Sequence, residues 1–494
     1  MSTPYILSID QGTTSSRAIL FDTNSNVIAS EQLEFDQIFP ADGWVEHDPE
    51  QIWNTTRQCI GKVLMGTGDT YVITAGITNQ RETTIIWDRA TGKPVYNAIV
   101  WQDRRTTGIC KSLKQDGLEP IISGKTGLRL DPYFSATKIA WMLDHVEGAR
   151  KKAEKGQLAF GTVDSFLMWR LTGGKSHLTD ATNASRTLLF NIHTGEWDQQ
   201  LLEIFNIPVS LLPEVKNCAD TFGEIDRALF SVKPPIQGVA GDQQAALFGQ
   251  ACFSPGMVKS TYGTGCFMVM NTADSPVKSS NNLLTTIGYQ LNNQTTYALE
   301  GSIFNAGTAI QWLRDELELF GNNQEIDALI QSAENRDNDD IYFVPAFTGL
   351  GTPYWHPDAR GIISGITRDT NKADLLRSAL NSVCYQSHDL VSAMARDSHH
   401  TLSEIRVDGG MTVNTWLLQR LADITDTHVV KPVITETTAL GASYLAGLGA
   451  NLYQSLEDIQ SNWQLDRQHY PSLDVKNRED LLEGWQKSIE RCLL

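Results

Sequence analysis

The segment YILSIDQGTTSSRAILFD, residues 5–22, restricts the possible folds more than any other part of the chain. Two apolar runs flank a short turn that contains Gly12, a pattern that predicts a β-hairpin. The turn combines backbone N–H groups, several hydroxyls and the cation of Arg17, and such donors suit an anion such as phosphate. Asp10 ends the first strand and offers the oxygen ligands that divalent cations prefer. The alternative is an ordinary polar turn that Asp10 caps.

A second hairpin of the same kind follows in the second half of the chain. Residues 256–262 and 266–270 have strand patterns, and Gly263-Thr264-Gly265 forms the turn between them. Strand patterns alternate with helical patterns throughout, which predicts an α/β architecture. At 494 residues the chain exceeds what one core usually supports. We therefore predict two related domains, residues 1–250 and 251–494, whose phosphate-binding turns face each other across a cleft.

The charge and cysteine content exclude several classes of partner. A net charge of −18 argues against nucleic acid or an anionic membrane surface as the main partner, because both require clustered cations. No apolar run approaches the roughly 18 residues of a membrane span, and the first ten residues do not form a signal peptide pattern. The seven scattered cysteines predict free thiols in a reducing compartment. These features predict a cytoplasmic location.

The common nucleotide and hydrolase motifs are missing from the sequence. Gly124-Lys125-Thr126 resembles the end of a P-loop, but Glu119 stands where that motif requires its first glycine. Dinucleotide, zinc-peptidase, serine-hydrolase and EF-hand patterns are also absent from the sequence. The sequence therefore gives little support to dinucleotide binding or hydrolase chemistry.

Three further segments place polar or small residues at the ends of strands. Asp242 follows the apolar residues 239–241 and is either a helix N-cap or a functional acid. Residues 408–410, Asp-Gly-Gly, form either a tight turn before a helix that runs through Leu417 or a backbone contact for a ligand. In residues 304–312, small residues at a helix start favour close packing over contact with a flat ligand.

Taken together, these segments resemble the FGGY carbohydrate kinases, which belong to the larger actin-like and hexokinase-like ATPase group. The resemblance extends in order from residue 9 to residue 449, nearly the whole chain. The strings NQRETT and GDQQAALFGQ are more specific than the pattern shared by the whole family, and they point to glycerol rather than xylulose, ribulose or gluconate as the substrate. The matching strings are IDQGTTSSRA, GWVEHDP, GITNQRETT, NAIVWQDRR, DPYFSATK, TNASRTLLFNIHT, AGDQQAALFGQ, TYGTGCFM, ALEGSIF, FVPAFTGLGTPYW, RVDGG and TALGASYLAGLG.

The resemblance implies two actin-like (ribonuclease H-like) ATPase domains with the active site in the cleft between them. It implies ATP-dependent phosphorylation of glycerol to sn-glycerol 3-phosphate, the step by which glycerol enters catabolism. ATP and Mg²⁺ are the implied cosubstrate and metal, and a homodimer or homotetramer is the implied assembly.

The resemblance also implies roles for individual residues. It implies that glycerol forms polar contacts with Arg81, Glu82, Tyr133, Asp242 and Gln243 and that Trp101 and Phe267 form the apolar wall of its site. The residues implied to bind the phosphates of ATP are Thr13, Thr14, Ser15, Arg17 and, from the second hairpin, Thr264. The residues implied to line the adenosine pocket are Gly307, Gln311, Gly410 and Asn414, and those implied to hold the metal are Asp10 and Asp242. Asp242 is the expected general base.

Two other functions remain open on the sequence. One is a related FGGY kinase that phosphorylates another sugar or polyol. The other is a non-catalytic or mechanochemical ATPase of the actin-like group, which would need no polyol pocket. Local pattern alone would place Trp101 and Phe267 in the core and Arg81 with Glu82 in a solvated loop.

Overall fold

Strands and helices alternate along the chain in the computed structural model, which describes residues 4–65, 71–230, 232–333, 340–356 and 358–494. Its strands are β1 Tyr5–Gln11, β2 Ser15–Asp22, β3 Val27–Glu34, β4 Glu46–His47, β5 Val72–Asn79, β6 Ile85–Asp88, β7 Ala98–Ile99, β8 Leu158–Gly161, β9 Leu178–Asp180, β10 Phe190–Asn191, β11 Glu196–Trp197, β12 Glu214–Lys216, β13 Ala219–Glu224, β14 Pro235–Gly241, β15 Val258–Tyr262, β16 Cys266–Asn271, β17 Leu284–Leu291, β18 Gln294–Ile303, β19 Tyr342–Val344, β20 Ile362–Ser364, β21 Ile405–Asp408, β22 Val429–Pro432 and β23 Leu465–His469. Its α-helices are α1 Pro49–Met65, α2 Thr107–Gln115, α3 Glu119–Thr126, α4 Ser135–His145, α5 Ala149–Glu154, α6 Val163–Leu171, α7 Ala181–Ala184, α8 Gln199–Phe205, α9 Asp242–Gly249, α10 Gly307–Asp315, α11 Asn323–Ala333, α12 Lys372–Ser398, α13 Thr415–Thr425, α14 Thr437–Gly449, α15 Leu456–Asn462 and α16 Val475–Leu493. Short 3-10 helices span Val209–Leu211 and Gly410–Val413.

Two large mixed sheets organise the described residues. The first sheet has the strand order β13-β14-β5-β1-β2-β3, and the second has the order β17-β18-β16-β15-β21-β22-β23. In the first sheet β1 pairs antiparallel with β2 and parallel with β5, which in turn pairs parallel with β14. In the second sheet β15 makes the same connections with β16 and β21, and β21 pairs parallel with β22. The same arrangement thus recurs in both halves of the chain.

Both predicted hairpins are confirmed, and their sequences explain why they form. In β1 the side chains of residues 6–9 are all buried, because helices or loops cover both faces of this central strand. Ser8 lies within this buried run, and its Oγ donates a 2.7 Å hydrogen bond to the carbonyl oxygen of Ala439. The continuous apolar run of β1 is therefore typical of a strand buried on two sides.

Helices α9 and α14 cross where neither carries a bulky side chain. A Cβ atom on Gly441 would lie 1.8 Å from the Ala245 carbonyl oxygen, and one on Gly249 would lie 2.0 Å from that of Thr437. Below the crossing, a Cβ on Gly76 of β5 would lie 2.1 Å from the Ala442 carbonyl oxygen. Glycine at these positions lets the backbones of α9, α14 and β5 touch directly.

The two halves of the chain are interlocked around this crossing. Helix α14 comes from the C-terminal half, yet it packs on β14, β5 and β1 of the first sheet. Helix α9 comes from the N-terminal half and contacts β15, β16 and β17 of the second sheet. The predicted boundary at residue 250 falls just after α9 ends, and as a domain boundary it stays a prediction.

The segment between β5 and β13, residues 80–218, is an insertion in the first half of the chain that we call the inserted segment. It contains α2 to α8 and pairs such as β6 with β8 and β10 with β11. It reaches the second sheet directly, since Tyr297 donates a 2.7 Å hydrogen bond to the Ile192 carbonyl oxygen and Ser185 shares one of 3.1 Å with Thr286. The inserted segment therefore lies against both sheets.

Two local expectations are wrong in detail. Asp242 is not a helix N-cap, because Gly241 holds that position and Asp242 is the first residue of α9. The helix expected to follow residues 408–410 and to run through Leu417 is preceded by the 3-10 turn and begins only at Thr415. Asn414 caps it by accepting a 2.9 Å bond from the Leu417 N–H.

All seven cysteines are free thiols, and six of them are buried. Burial raises the pKa of Cys59 to about 11 and that of Cys266 to about 12, so both thiols stay protonated and unreactive at neutral pH. Among the described helices, none has the length and apolar character needed to cross a membrane.

Candidate active site

The carboxyl ends of three neighbouring strands bring the predicted polar residues together. Strands β1, β5 and β14 are parallel, and Asn79 at the end of β5 pairs with Gly241 at the end of β14. Residues that follow these ends must therefore lie side by side, and Arg81 Nε is 3.1 Å from Asp242 Oδ1. Asp10 lies at the same edge, where it pairs with Thr78. Ligands in α/β sheets generally bind at this edge.

Four buried charged side chains form a cluster beneath this edge, which we call the charge cluster: Arg81, Glu82, Arg186 and Glu300. Arg81 contacts Glu300 through both terminal nitrogens, at 2.5 and 3.1 Å. Arg186 donates to Glu82 Oε1 at 2.6 Å and to Glu300 Oε1 at 2.8 Å. All four side chains are at most 2% exposed, so each charge depends on its neighbours rather than on water.

The surrounding charges decide the ionisation of this cluster. Burial by itself would raise the pKa of Glu300, but Arg186 and Arg81 outweigh it and lower that pKa to about 2. Burial also raises the pKa of Glu82, and there the two arginines only reduce the increase. Burial disfavours the Arg81 cation, yet Glu300 and its other neighbours keep the Arg81 pKa above its ordinary value. The backbone of Glu82 is left-handed (φ 58°), a strained conformation of the kind that clusters at functional sites.

Aromatic side chains form a wall next to Arg81. The ring of Trp101 lies edge-on to Tyr133 at 5.6 Å and to Phe267 at 6.2 Å. The Tyr133 hydroxyl accepts a 3.3 Å hydrogen bond from Arg81 Nη2, and burial raises the pKa of Tyr133, which keeps the phenol neutral. Trp101 Nε1 donates to Thr13 Oγ1 at 3.0 Å, so the wall connects directly to the turn of the first hairpin.

A buried lysine holds Gln243 in place. Lys259 Nζ on β15 donates to Gln243 Oε1 at 2.5 Å, to Thr261 Oγ1 at 2.9 Å and to the Phe267 carbonyl oxygen at 3.3 Å. Burial lowers the pKa of Lys259. The lysine thereby fixes one predicted polar residue and one predicted wall residue from the same point of the second sheet.

In the turn of the first hairpin, the predicted phosphate ligands are held by other protein groups. Arg17 donates to Gln32 Oε1 through Nε at 3.1 Å and Nη2 at 2.8 Å, and it forms an ion pair with Glu436. Ser15 Oγ accepts a 2.9 Å bond from Gln32 Nε2. Thr14 is exposed. The Arg17 guanidinium is therefore paired with a carboxylate that precedes α14.

Asp10 lies among other acidic groups at the strand ends. Burial raises the pKa of Asp10 to about 6, Arg17 opposes this increase, and Glu436 and Asp242 add to it. Within the part of the chain that the structure describes, no group of three or more His, Cys, Asp or Glu side chains is arranged to hold a metal ion.

The second hairpin turn packs against the start of α10. The backbone N–H groups of Ala306 and Thr308 donate to the Thr264 carbonyl oxygen, both at 3.1 Å. A Cβ on Gly307 would lie 2.6 Å from the Gly263 carbonyl oxygen, so close packing explains the small residue, as the local pattern favours. Thr264 itself is exposed, and among the described residues no hydrogen bond links it to the first turn.

The remaining predicted adenosine residues lie near this turn. Gln311 is exposed on α10, and Gly410 begins the 3-10 turn with open space around it. The Met411 sulfur is 3.6 Å from the position of a Cβ on Gly307, which places the 3-10 turn beside the start of α10. The side-chain oxygen of Asn414 is engaged as the cap of α13. The start of α10 and the 3-10 turn therefore both lie beside the second hairpin turn.

Four polar residues of this region did not emerge from the sequence as candidates: Arg186, Lys259, Glu300 and Glu436. Arg186 and Glu300 lie within the matching strings TNASRTLLFNIHT and ALEGSIF, and this position was the only sequence signal that could have identified them. Each is a single charge in an apolar or hydroxyl-rich context, and its partners lie up to hundreds of residues away.

Comparisons with known proteins cover almost the whole chain. The family models described as "FGGY family of carbohydrate kinases" match residues 5–249 with the N-terminal domain and residues 258–450 with the C-terminal domain. A relative named glycerol kinase from Marinomonas sp. (strain MWYL1) is 59% identical over 491 residues, 99% of each chain. Another, from Alcanivorax borkumensis, is 56% identical over 490 residues, 99% of this chain and 98% of the relative.

Solved structures give the same result for the fold. The crystal structure of Plasmodium falciparum glycerol kinase with ADP superposes with a TM-score of 0.94 at 38% identity, and the match covers 100% of this chain and 99% of that one. A ligand-bound xylulose kinase from Lactobacillus acidophilus has a TM-score of 0.87 at 23% identity over 99% and 97% of the two chains, which supports the fold alone.

Proposed function

The chain belongs to the FGGY family of carbohydrate kinases, and from this membership we propose that it transfers the γ-phosphoryl group of ATP to glycerol. The products are ADP and sn-glycerol 3-phosphate. Its two-domain α/β structure is that of the actin-like ATPases. The observation that carries the proposal is the pairing of Arg81 with Asp242, at 3.1 Å, beside the aromatic wall of Trp101, Tyr133 and Phe267. Relatives named glycerol kinase at 55–59% identity over nearly the full chain support it.

Glycerol requires hydrogen bonds to three hydroxyls and apolar cover for its carbons. Arg81 supplies donors, Asp242 and Glu82 supply acceptors, and Tyr133 and Gln243 supply groups that can do either. Trp101 and Phe267 cover the carbons. Such a site rejects analogues that leave its buried polar groups unpaired, because an unmatched buried charge is costly.

Phosphoryl transfer needs positioning and charge neutralisation rather than covalent help from the protein. We assign the phosphates of ATP to Thr13, Thr14, Ser15 and Arg17 on one side and to Thr264 on the other. Arg17 must exchange Glu436 and Gln32 for phosphate oxygens when the nucleotide binds, since these groups occupy its guanidinium. We assign adenosine to Gly307, Gln311, Gly410 and Asn414.

Asp242 is the proposed general base. Its carboxylate is 29% exposed, so a substrate hydroxyl can reach it, while the 3.1 Å contact with Arg81 fixes its orientation. In this role it accepts the proton of the glycerol hydroxyl as that oxygen attacks the γ-phosphorus, and the bond to the β-phosphate oxygen breaks.

The acidic strand ends fit a bound Mg²⁺. The pKa of Asp10 is raised to about 6 because burial and the acids Glu436 and Asp242 disfavour its charge, and a nearby cation would relieve that cost. Asp10 and Asp242 would hold the ion, which usually takes one or two carboxylates and completes its shell with phosphates and water. When bound, it would neutralise phosphate charge.

A homodimer or homotetramer and a cytoplasmic location complete the proposal. Both stay predictions: the first rests on the family resemblance and the second on the free thiols.

Phosphorus NMR of a mixture of enzyme, ATP, Mg²⁺ and glycerol tests the function directly. We expect a phosphomonoester at the terminal carbon of glycerol, formed in equal amount with ADP. In parallel mixtures that contain ribulose, xylulose or gluconate instead of glycerol, an ester formed there but not with glycerol would identify a related sugar kinase. Inorganic phosphate without any ester would identify an ATPase of the actin-like group.

A further inference from the structure

Glu300 belongs to the second sheet but interacts with groups from the other half of the chain. On β18 it pairs with Val269 of β16 and Leu284 of β17, both on the second sheet. Its carboxylate, only 1% exposed, lies between Arg81, which follows β5, and Arg186, in the inserted segment. One carboxylate thus connects the two sides of the proposed glycerol site.

The contacts of Glu300 fix the plane of the Arg81 guanidinium. Arg81 Nη1 donates to Oε2 at 2.5 Å and Nη2 donates to Oε1 at 3.1 Å, a bidentate arrangement. Nη1 also donates to Gln244 Oε1 at 3.2 Å and Nη2 to the Tyr133 hydroxyl at 3.3 Å, while Nε points to Asp242 at 3.1 Å. Two parallel bonds define orientation as well as position, which a single ion pair does not.

We propose that Glu300 is a positioning residue for the acceptor substrate, which sets Arg81 and, through Arg186, Glu82 in the orientation that binds glycerol. The inference rests on the proposed function, because it assumes that glycerol occupies the space beside Arg81 and Asp242. Glu300 itself acts through the two arginines and is not a catalytic residue.

The charge balance indicates what happens without this carboxylate. The charge cluster contains two cations and two anions, and loss of Glu300 leaves Arg81 and Arg186 with Glu82 as their only partner within it. Arg81 Nε already lies 3.8 Å from Glu82 Oε1, so Arg81 would rotate toward that acid. Arg186 Nη1 is buried without a partner and has no spare contact to compensate. Glycerol would then lose both a donor and an acceptor.

Glu300→Gln tests the proposal, because it removes the charge and keeps the size of the side chain. We expect the KM for glycerol to rise by roughly 10- to 100-fold, since misplacing a binding group by about 1 Å can have effects of this size. The KM for ATP should stay within about twofold of the wild-type value. A merely structural role would reduce the amount of folded enzyme, and thus apparent kcat, but would leave the KM for glycerol unchanged.

Asp423→Asn is the matched control. Asp423 is a buried acid of α13 that accepts bonds from the Ser472 backbone N–H at 2.8 Å and from its hydroxyl at 2.9 Å. Its replacement should lower stability and leave the KM for glycerol unchanged.

Glu300→Asp covers the case in which Glu300→Gln does not fold. It keeps the charge but is one methylene shorter, so it cannot hold both arginines, and we expect an intermediate rise in the KM for glycerol. A folded variant of either kind with the wild-type KM for glycerol would overturn the proposal. If wild-type enzyme makes no glycerol phosphate, the proposed function fails; if it does and the Glu300 variants bind glycerol normally, only this inference fails.

Discussion

Asp242 owes its position to the pairing of β5 with β14. Because the two strands end in register at Asn79 and Gly241, the first residue of α9 is brought next to the loop that carries Arg81. The 3.1 Å contact between them then aims the carboxylate. A proton acceptor must be held within hydrogen-bond reach of the hydroxyl that it serves.

Asp242→Asn should lower kcat by roughly 10²- to 10⁴-fold, the usual contribution of a general base, because the amide cannot accept the proton. Glycerol binding should be largely retained, since the amide oxygen still accepts from Arg81. Steady-state kinetics with glycerol as the varied substrate measure both effects. Asp144→Asn, which removes an exposed carboxylate paired with Arg150, is the control. Near-normal turnover of Asp242→Asn would contradict the assignment.

Asp10→Asn should stabilise the ligand-free protein while it impairs catalysis. The pKa of Asp10 is raised from 3.8 to about 6 in the folded state, so the folded protein binds the proton more tightly than the unfolded chain does. Ionised Asp10 therefore lowers the free energy of unfolding, by an amount that grows between pH 3.8 and about 6 and is constant above that range.

Urea denaturation with and without this substitution provides the measurement. At pH 7.5 we expect Asp10→Asn to raise the free energy of unfolding by roughly 1–3 kcal/mol. At pH 4 the difference should almost vanish, because Asp10 is then protonated in the folded state. Equal stability of both proteins at pH 7.5 would show that the burial of Asp10 carries no cost.

The sequence predicted some residues of the site but missed their neighbours. Arg81 and Glu82 emerged only through the family resemblance, because local pattern places an Arg-Glu pair in a solvated loop. The position of Asp242 at a strand end already marked it as a functional acid or a helix N-cap. Arg186, Glu300 and their 2.8 Å contact could not be predicted, since their pairing depends on how the inserted segment lies on the second sheet. Charge pairing between residues 114 positions apart leaves no periodicity in the sequence.

At the level of elements, the crossing of α9 and α14 depends on backbone contact. The distances around Gly441 and Gly249 leave no room for a methyl group. In an exposed helix, glycine costs about 1 kcal/mol relative to alanine. At this crossing the requirement for close approach outweighs that cost.

Gly441→Ala should therefore destabilise the protein, although the same change usually stabilises a helix. Its Cβ would lie 1.8 Å from the Ala245 carbonyl oxygen, and overpacking of this kind costs about 1–3 kcal/mol or more. Gly124→Ala in α3, where nothing lies within 4 Å of the new Cβ, is the matched control and should stabilise by up to about 1 kcal/mol. Thermal unfolding of both variants gives the comparison, and equal melting temperatures would refute the packing argument.

The elements themselves were largely predictable where the pattern is local. The hairpins follow from apolar runs around glycine-containing turns. The break before α13 was not expected, because it follows Gly409, whose φ is 93° and where a Cβ would lie 2.4 Å from the Tyr262 carbonyl oxygen. Local propensity does not report such a long-range contact.

The two halves of the chain are held together because each contributes a helix, α9 or α14, that packs against the sheet of the other half. Residues of α14, such as Leu440, Tyr444 and Leu445, share a hydrophobic core with Ile6 and Phe21 of the first sheet. This core brings together residues from both ends of the chain. The repeated hairpins predicted two similar halves, but not that each half supplies a helix to the other.

A fragment of residues 1–250 should consequently fail to fold on its own. Without α14 it would expose the apolar face formed by β1, β5 and β14. We expect the fragment to bind a hydrophobic dye and to lack a cooperative thermal transition, the behaviour of a loosely packed state. Adding residues 251–494 should restore the transition. A cooperative transition of the fragment alone would contradict the interlocked arrangement.

The position of the inserted segment has a consequence for how enzymes of this architecture diversify. It leaves the first sheet after β5 and returns at β13, so it is an insertion within the connectivity of that sheet, although α6 within it packs against the core beneath β1, β5 and β14. Trp101, Tyr133 and Arg186 all come from it, whereas Asp10, Asp242 and the hairpin turns do not. The inserted segment thus supplies part of the proposed acceptor site, together with Asp242, Gln243 and Phe267, whereas the proposed phosphate contacts lie outside it. Chimaeras that exchange residues 80–218 between relatives should alter the acceptor more readily than the nucleotide.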